Sequence, residues 1–265
     1  MEDTLKRRII PERWEQIIEM VEAQGGLSVD QIAQALRISS ATVRRDLAHI
    51  HQRGLIKRTR GGAEPSPQVR DDRTLSESRR INPVEKEIIG AAAAELIASG
   101  DTLMIDGGFT TYQTARQITA TDITVVTNSI DVANAMINRD DITLVIIGGE
   151  LSRVSGTTVG PTTDSQLALI RADKAIIGAN AVSPVEGVSS PNPFTAQTKR
   201  TMIHGSREVI VVADHTKLGQ LTTYSVAPVE SISTLVTDDQ ADKDILEAFR
   251  AAGVEVILAS PLNKL

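Results

Sequence analysis

The apolar positions of the first sixty residues recur with a helical period. Trp14, Ile17, Ile18 and Val21 stand three and four apart and predict one helix, which Gly25-Gly26 ends. Ser28, with Gln31 three residues on, reads as the capping box of a second helix through Ile32, Ala33 and Leu36. After the short break Arg37-Ile38-Ser39, Ser39 or Ser40 caps a third helix that carries Val43, Leu47 and Ile50 on one side and stops at Gly54. Leu55-Ile56 opens a strand, followed by Lys57, Arg58, Arg60 and the pair Gly61-Gly62. Two short helices joined by a tight turn, with a third ahead of them, make a helix-turn-helix, and the basic hairpin beside them makes a wing.

From residue 64 to 82 the pattern lapses into Pro, Ser and charged residues, which predicts a linker. A helix then begins near Pro83-Val84-Glu85 and continues to Gly100. Beyond it, apolar β-branched runs alternate with polar or helical stretches. The predicted strands are 102–106, 123–127, 142–148, 174–179, 208–214, 233–237 and 254–259. That alternation predicts a doubly wound, mainly parallel α/β domain covered on both faces. The expected organisation is a winged helix over 1–63, a linker over 64–82 and an α/β effector-sensing domain over 83–265. The order of the strands cannot be read from the pattern.

Charge changes the picture. The chain has a net charge of −6, but residues 1–60 hold 11 Lys and Arg against 8 Asp and Glu, and residues 37–60 hold 7 against 1. A positive block on an otherwise acidic chain is the footprint of a DNA-binding module joined to something else. Ser40, Thr42, Arg44 and Arg45 occupy the first two turns of the third helix, where a recognition helix meets base edges and phosphates. Because Val43 and Leu47 point inward, Arg44 and Arg45 cannot both be buried. Lys57, Arg58 and Arg60 on the wing supply phosphate contacts.

The chain has no cysteine, which excludes disulfides and thiolate chemistry and fits a reducing cytoplasm. No apolar run reaches the roughly 18 residues of a membrane span, so no membrane partner is expected. No two histidines stand four apart with a carboxylate partner, so neither a metal nor a cofactor is expected.

Ligands of open α/β sheets bind at the carboxyl ends of the strands. Those ends read Asp106-Gly107-Gly108-Phe109-Thr110-Thr111, Thr127-Asn128-Ser129, Gly148-Gly149-Glu150, Gly178-Ala179-Asn180 and Asp214-His215-Thr216-Lys217. The first has glycines for close backbone approach, hydroxyls, and a helix expected from about Thr111, the ingredients of an anion site. An ordinary strand-to-helix turn would use the same residues. It is neither a G-x-G-x-x-G fingerprint nor a P-loop. Asp106, Asp214 and Lys217 admit two readings, an acid–base set for sugar isomerisation or groups that orient a ligand and cap turns. The attached winged helix favours the second.

The stretch from Leu27 to Ala63 resembles the helix-turn-helix signature of DeoR-type bacterial repressors. The matching elements are Ser39, Thr42-Val43-Arg44-Arg45-Asp46-Leu47, Gly54-Leu55 and Arg60-Gly61-Gly62-Ala63; Arg60 stands where many members have histidine. The segments "DGGFTT", "VVTNS", "VIIGGEL", "KAIIGANAV", "TKRTMI" and "VIVVADHTKLG" extend the resemblance over residues 13 to 260. It implies an effector domain similar to ribose-5-phosphate isomerase that senses a phosphorylated sugar or a related metabolite. By that match Asp106, Gly107, Gly108, Thr110 and Thr111 hold phosphate and sugar. Thr127 and Asn128 line the pocket, and Lys199 adds a positive charge. Thr195 replaces a glutamate that members often carry four residues before that lysine. The expectation is a repressor of carbohydrate catabolism genes that binds double-stranded operator DNA as a homodimer or homotetramer. The alternative is a sugar-phosphate isomerase-like enzyme with an attached DNA-binding head.

Overall fold

The computed structural model describes residues 12–52, 56–59, 61–65 and 75–260, and divides the chain into units of residues 1–70 and 71–265. In the first unit α1 (Glu12–Ala23), α2 (Val29–Leu36) and α3 (Ser40–Gln52) pack on a three-stranded antiparallel sheet. Its strands are β1 (Leu27–Ser28), β2 (Ile56–Arg58) and β3 (Gly62–Pro65), in the order β1-β3-β2. The core holds the predicted Trp14, Ile17, Val21, Ile32, Val43, Leu47 and Ile50, joined by Ile56 from the sheet; Ala33 and Leu36 pack against it partly buried, and the Ile18 side chain is not described. The capping box forms, with Ser28 Oγ accepting from the N–H of Gln31 and Gln31 Oε1 accepting from the N–H of Ser28. Arg37 closes α2 in the left-handed region. Ser39, not Ser40, caps α3: its hydroxyl accepts from the N–H of Thr42 at 3.2 Å. Gly62 is where β3 crosses β1, and a Cβ there would lie 2.0 Å from the carbonyl oxygen of Leu27. The predicted stop at Gly54 and strand start at Leu55 fall outside the described residues.

The second unit opens with α4 (Leu75–Ser78) and α5 (Pro83–Ala94). Then come β4 (Thr102–Ile105), α6 (Phe109–Gln117), β5 (Thr124–Thr127), α7 (Ile130–Met136) and β6 (Thr143–Ile146). The hairpin β7 (Glu150–Ser152) and β8 (Thr157–Val159) follows, and α8 (Pro161–Leu167) leads to β9 (Ala172–Gly178). Next are β10 (Ala181–Ser183), β11 (Gly187–Ser190), α9 (Pro193–His204), β12 (Ser206–Val212) and β13 (Tyr224–Ala227). The series ends with β14 (Thr234–Asp238), α10 (Lys243–Ala251) and β15 (Glu255–Ala259).

The seven predicted strands form one parallel sheet in the order β15-β14-β12-β9-β4-β5-β6. Apolar side chains of α5, α6 and α7 cover one face, and those of α8, α9 and α10 the other. Two small antiparallel sheets, β7-β8 and β10-β11-β13, were not foreseen. Their strands run three or four residues, too short for alternation to stand out in the sequence. Two predicted boundaries move. The helix expected to reach Gly100 ends at Ala94, and the helix expected from about Thr111 begins at Phe109 with Gly108 as its N-cap.

The strand order locates the site. The chain runs outward from β4 through β5 to β6, then returns to place β9 on the other side of β4. The reversal between β4 and β9 is the topological switch point, where the loops beyond neighbouring strands diverge and leave a crevice.

Candidate functional site

Two surfaces carry chemistry. On α3, Arg44 and Arg45 are both exposed, where the inward direction of Val43 and Leu47 required it of only one. The three hydroxyls at its start make local bonds. Ser39 and Thr42 share a hydrogen bond at 2.8 Å, and Ser40 donates to Asp30 at 3.1 Å. The next residue after the arginines, Asp46, turns inward and is 4% exposed. It accepts from the Arg13 Nε–H at 2.8 Å and from the Trp14 indole N–H at 2.9 Å, and so ties α1 to α3. Burial raises its pKa, but the bonds from Arg13 and Trp14, with the charges of Arg13 and His49, outweigh burial and hold it below the usual carboxylate range. Trp14 also stacks on His49, ring centroids 5.7 Å apart. His51 Nδ1 lies 3.0 Å from the carbonyl oxygen of Ile56 and pins the end of α3 to the wing. On the wing, Arg58 is exposed, the Lys57 side chain is not described, and Arg60 falls outside the described residues.

The second surface is a solvent-open cavity at the switch point. Of the sequence-predicted residues it brings together Gly107, Gly108, Thr110, Thr111 and Lys199. Asp106 stands directly behind, ion-paired with Lys199, whose ammonium also donates to the carbonyl of Gly178 at 2.7 Å. Gly107 is glycine because the hairpin passes close: a Cβ there would lie 2.0 Å from Thr157 Cγ2. Gly108 has φ +142°, a conformation that favours glycine, and frees the first turn of α6 to face the cavity. Thr111 donates its hydroxyl back to the carbonyl of Gly108.

Thr127, Asn128, Gly148 and Gly149 do not line this cavity. The β7–β8 hairpin packs against the ends of β5 and β6, with Thr158 bonded to Asn128 and to the carbonyl of Ile147; the other polar groups of these tips bond to β4 and α8. Thr127 donates to Ile105, Asn128 Nδ2 donates to Thr158, and the Gly148 carbonyl accepts from Thr163. The hairpin was invisible in the sequence, so these tips read like the others.

Several lining residues were missed or weighed in another role. Asn180, Asp214 and Lys217 stood at predicted strand ends, but only the strand order brings β9 and β12 beside β4. Ser78 and Lys86 come from the stretch before the sheet, and nothing local marked them. Lys86, Lys199 and Lys217 are 3%, 3% and 8% exposed. Asp214 accepts from the N–H and hydroxyl of Thr216 and from Asn82, and lies 3.7 Å from the Lys86 ammonium. Burial pushes its pKa up, but the Thr216 and Asn82 bonds and the two lysine charges prevail and lower it. Three nearly buried lysines and the free N–H groups at the start of α6 meet here, a set of donors that can hold an anion. Among the described residues no group of His, Asp and Glu has metal-binding geometry, and no helix is long and apolar enough to cross a membrane.

A winged helix with an arginine-bearing third helix, joined to an α/β domain with a lysine-lined crevice at its switch point, defines the class of ligand-sensing transcription regulators. The profile of the DeoR-like helix-turn-helix domain matches residues 13–68, and that of the DeoR C terminal sensor domain matches residues 81–239. Three relatives match along nearly their full length. The HTH-type transcriptional regulator GlpR of Haloferax volcanii is 35% identical over 93% of this chain and 96% of its own. The HTH-type transcriptional repressor GlcR of Bacillus subtilis is 32% identical over 93% and 95%. The glycerol-3-phosphate regulon repressor of Escherichia coli K12 is 31% identical over 84% and 88%. Ribose 5-phosphate isomerase A of Methanocaldococcus jannaschii overlays on 52% of this chain and 55% of its own, with 16% identity and a TM-score of 0.38. The chain belongs to the DeoR family of DNA-binding transcriptional regulators.

Proposed function

We propose that this chain represses genes of carbohydrate catabolism and that a phosphorylated sugar or polyol, held in the switch-point cavity, modulates its grip on the operator. The observation that carries this reading is the convergence of Lys86, Lys199 and Lys217 on the first turn of α6. The phosphate takes the N–H groups of α6 beside Gly107, Gly108, Thr110 and Thr111, and the lysines balance its charge. Asp106 and Asp214 orient the lysines. The name of the relative that represses the glycerol-3-phosphate regulon supports the same class of effector.

On the DNA side, Arg44 and Arg45 read bases while Lys57, Arg58 and Arg60 hold phosphates, with Ser39, Ser40 and Thr42 shaping the start of the recognition helix. Paired half-sites require paired heads, so the active species is a homodimer or a tetramer built from it. The winged helix over 1–63 and the sensing domain over 83–265 are coupled through residues 64–82, in the cytoplasm.

The enzyme reading places an acid–base pair in the same cavity. A general base works best with a pKa near the operating pH, and Asp214 is shifted the other way. Incubation with ribose 5-phosphate is expected to give no ketose; turnover lost in Asp106→Ala would reverse this assignment.

The central test is a thermal-shift screen of paired compounds: ribose and ribose 5-phosphate, glycerol and glycerol 3-phosphate, glucose and glucose 6-phosphate. A ligand at 100 times its dissociation constant stabilises by about 2.7 kcal/mol. Stabilisation confined to the phosphorylated partner of a pair, and weakened in Thr110→Val with operator binding intact, is the expected result. Stabilisation by the unphosphorylated sugars alone would refute the phosphate cradle.

A further inference from the structure

Ser78, on the chain arriving from the DNA-binding unit, lines the cavity. We propose that residues 75–82 form a strap that an anion in the cavity locks onto the sensing domain, so that occupancy is passed along the chain toward the winged helix. This rests on the reading of the cavity as an anion site.

The strap is fastened by groups of the cavity itself. Lys86 donates to the carbonyls of Ser78 and Ile81, both at 2.8 Å. Asn82, in the left-handed region at φ 47°, donates to Asp214 Oδ1 at 3.1 Å. Asp214 Oδ2 is buried, lies 3.7 Å from the Lys86 ammonium and accepts no hydrogen bond among the described residues. Ser78, Lys86 and Asp214 all line the cavity. Arg79 makes a fastening outside it, donating to Asp131 at 2.9 Å with its guanidinium over the rings of Phe109 and Tyr112. Phe109 is the first residue of α6, the helix that meets the anion.

Within residues 77–82 apolar burial contributes little, since all are half-buried or exposed. The seating of the strap therefore depends on where Lys86 and Asp214 stand. A phosphate beside Lys86 keeps its ammonium under the two carbonyls and touches Ser78 on one side and α6 on the other. A ligand that contacts both walls binds the seated strap better than the released one, and so shifts the population toward it. The coupling is reciprocal: whatever unseats the strap weakens the anion.

The test is hydrogen–deuterium exchange of the full chain in inorganic phosphate and in chloride of equal ionic strength, read by mass spectrometry on peptides covering 75–82. Exchange there is expected to slow several-fold in phosphate, while a peptide covering β14 stays unchanged. Arg79→Ala, which does not line the cavity, is expected to speed exchange of the strap without phosphate. It is also expected to weaken phosphate binding by about threefold or more, because the competent state is less populated. Two results would overturn the inference alone. One is phosphate that raises the melting temperature without slowing exchange of the strap; the other is Arg79→Ala with unaltered phosphate affinity. If neither phosphate nor any phosphorylated compound raises the melting temperature, the anion reading fails and this inference with it.

Discussion

Arg44, Arg45 and Asp46 are consecutive, yet they do opposite work because a helix turns about 100° per residue. The arginines face solvent, and the aspartate faces Arg13 and Trp14. Arg44→Ala and Arg45→Ala are each expected to lower operator affinity by about 1–3 kcal/mol where the arginine reads a guanine, measured by fluorescence anisotropy on operator DNA. Affinity unchanged in both would remove α3 from the recognition role. Asp46 predicts a pH dependence. Its folded pKa lies below its unfolded one, so the stability it lends is fully present above about pH 4 and is lost as pH falls through the folded value. Acid unfolding of the first unit, followed by fluorescence of Trp14, the only tryptophan, is expected to begin below about pH 4. Asp46→Asn should flatten that dependence while lowering stability at neutral pH. An unaltered profile would assign the acid sensitivity elsewhere.

At the scale of elements, the β7–β8 hairpin and the β4–α6 turn fit each other. Gly107→Ala drives a methyl into Thr157 Cγ2, and overpacking of this kind costs about 1–3 kcal/mol. Thr157→Ser removes that carbon and keeps the hydroxyl bonded to Ser155. The double variant Gly107→Ala/Thr157→Ser is therefore expected to regain most of the stability lost in Gly107→Ala. A calorimetric melting temperature no higher in the double than in the single variant would mean that the cost lies in the backbone of the turn. The same packing explains why the tips of β5 and β6 are not part of the cavity. Their chemistry was legible as small polar residues after a strand, but the hairpin that packs against them is made of residues with no period of their own.

At the scale of the whole molecule, the charge is divided by function. Residues 37–60 hold 7 Lys and Arg against 1 Asp, on a chain of net charge −6. DNA affinity should therefore fall steeply with salt, since each phosphate contact releases counterions. Lys57→Ala is expected to weaken binding about equally on all sequences and to reduce the salt slope by about 1 per head. Loss of affinity on the operator alone would instead make Lys57 a base reader.

The sequence by itself determined the two-part plan, the helix-turn-helix with its cap and core, the seven strands of the parallel sheet, and the strand-to-helix turn at Asp106–Thr111. These are local: periodicity, capping residues and glycines act within a few positions along the chain. The strand order, the switch point between β4 and β9, the hairpin against the β5 and β6 tips, and the arrival of Lys86 and Lys217 beside Lys199 were decided only in three dimensions. Sheet order depends on which strands pair across distant segments, and an ammonium in a cavity is made by neighbours far away in sequence. No local pattern marks a lysine on α5 as part of a site built on the tips of β4, β9 and β12.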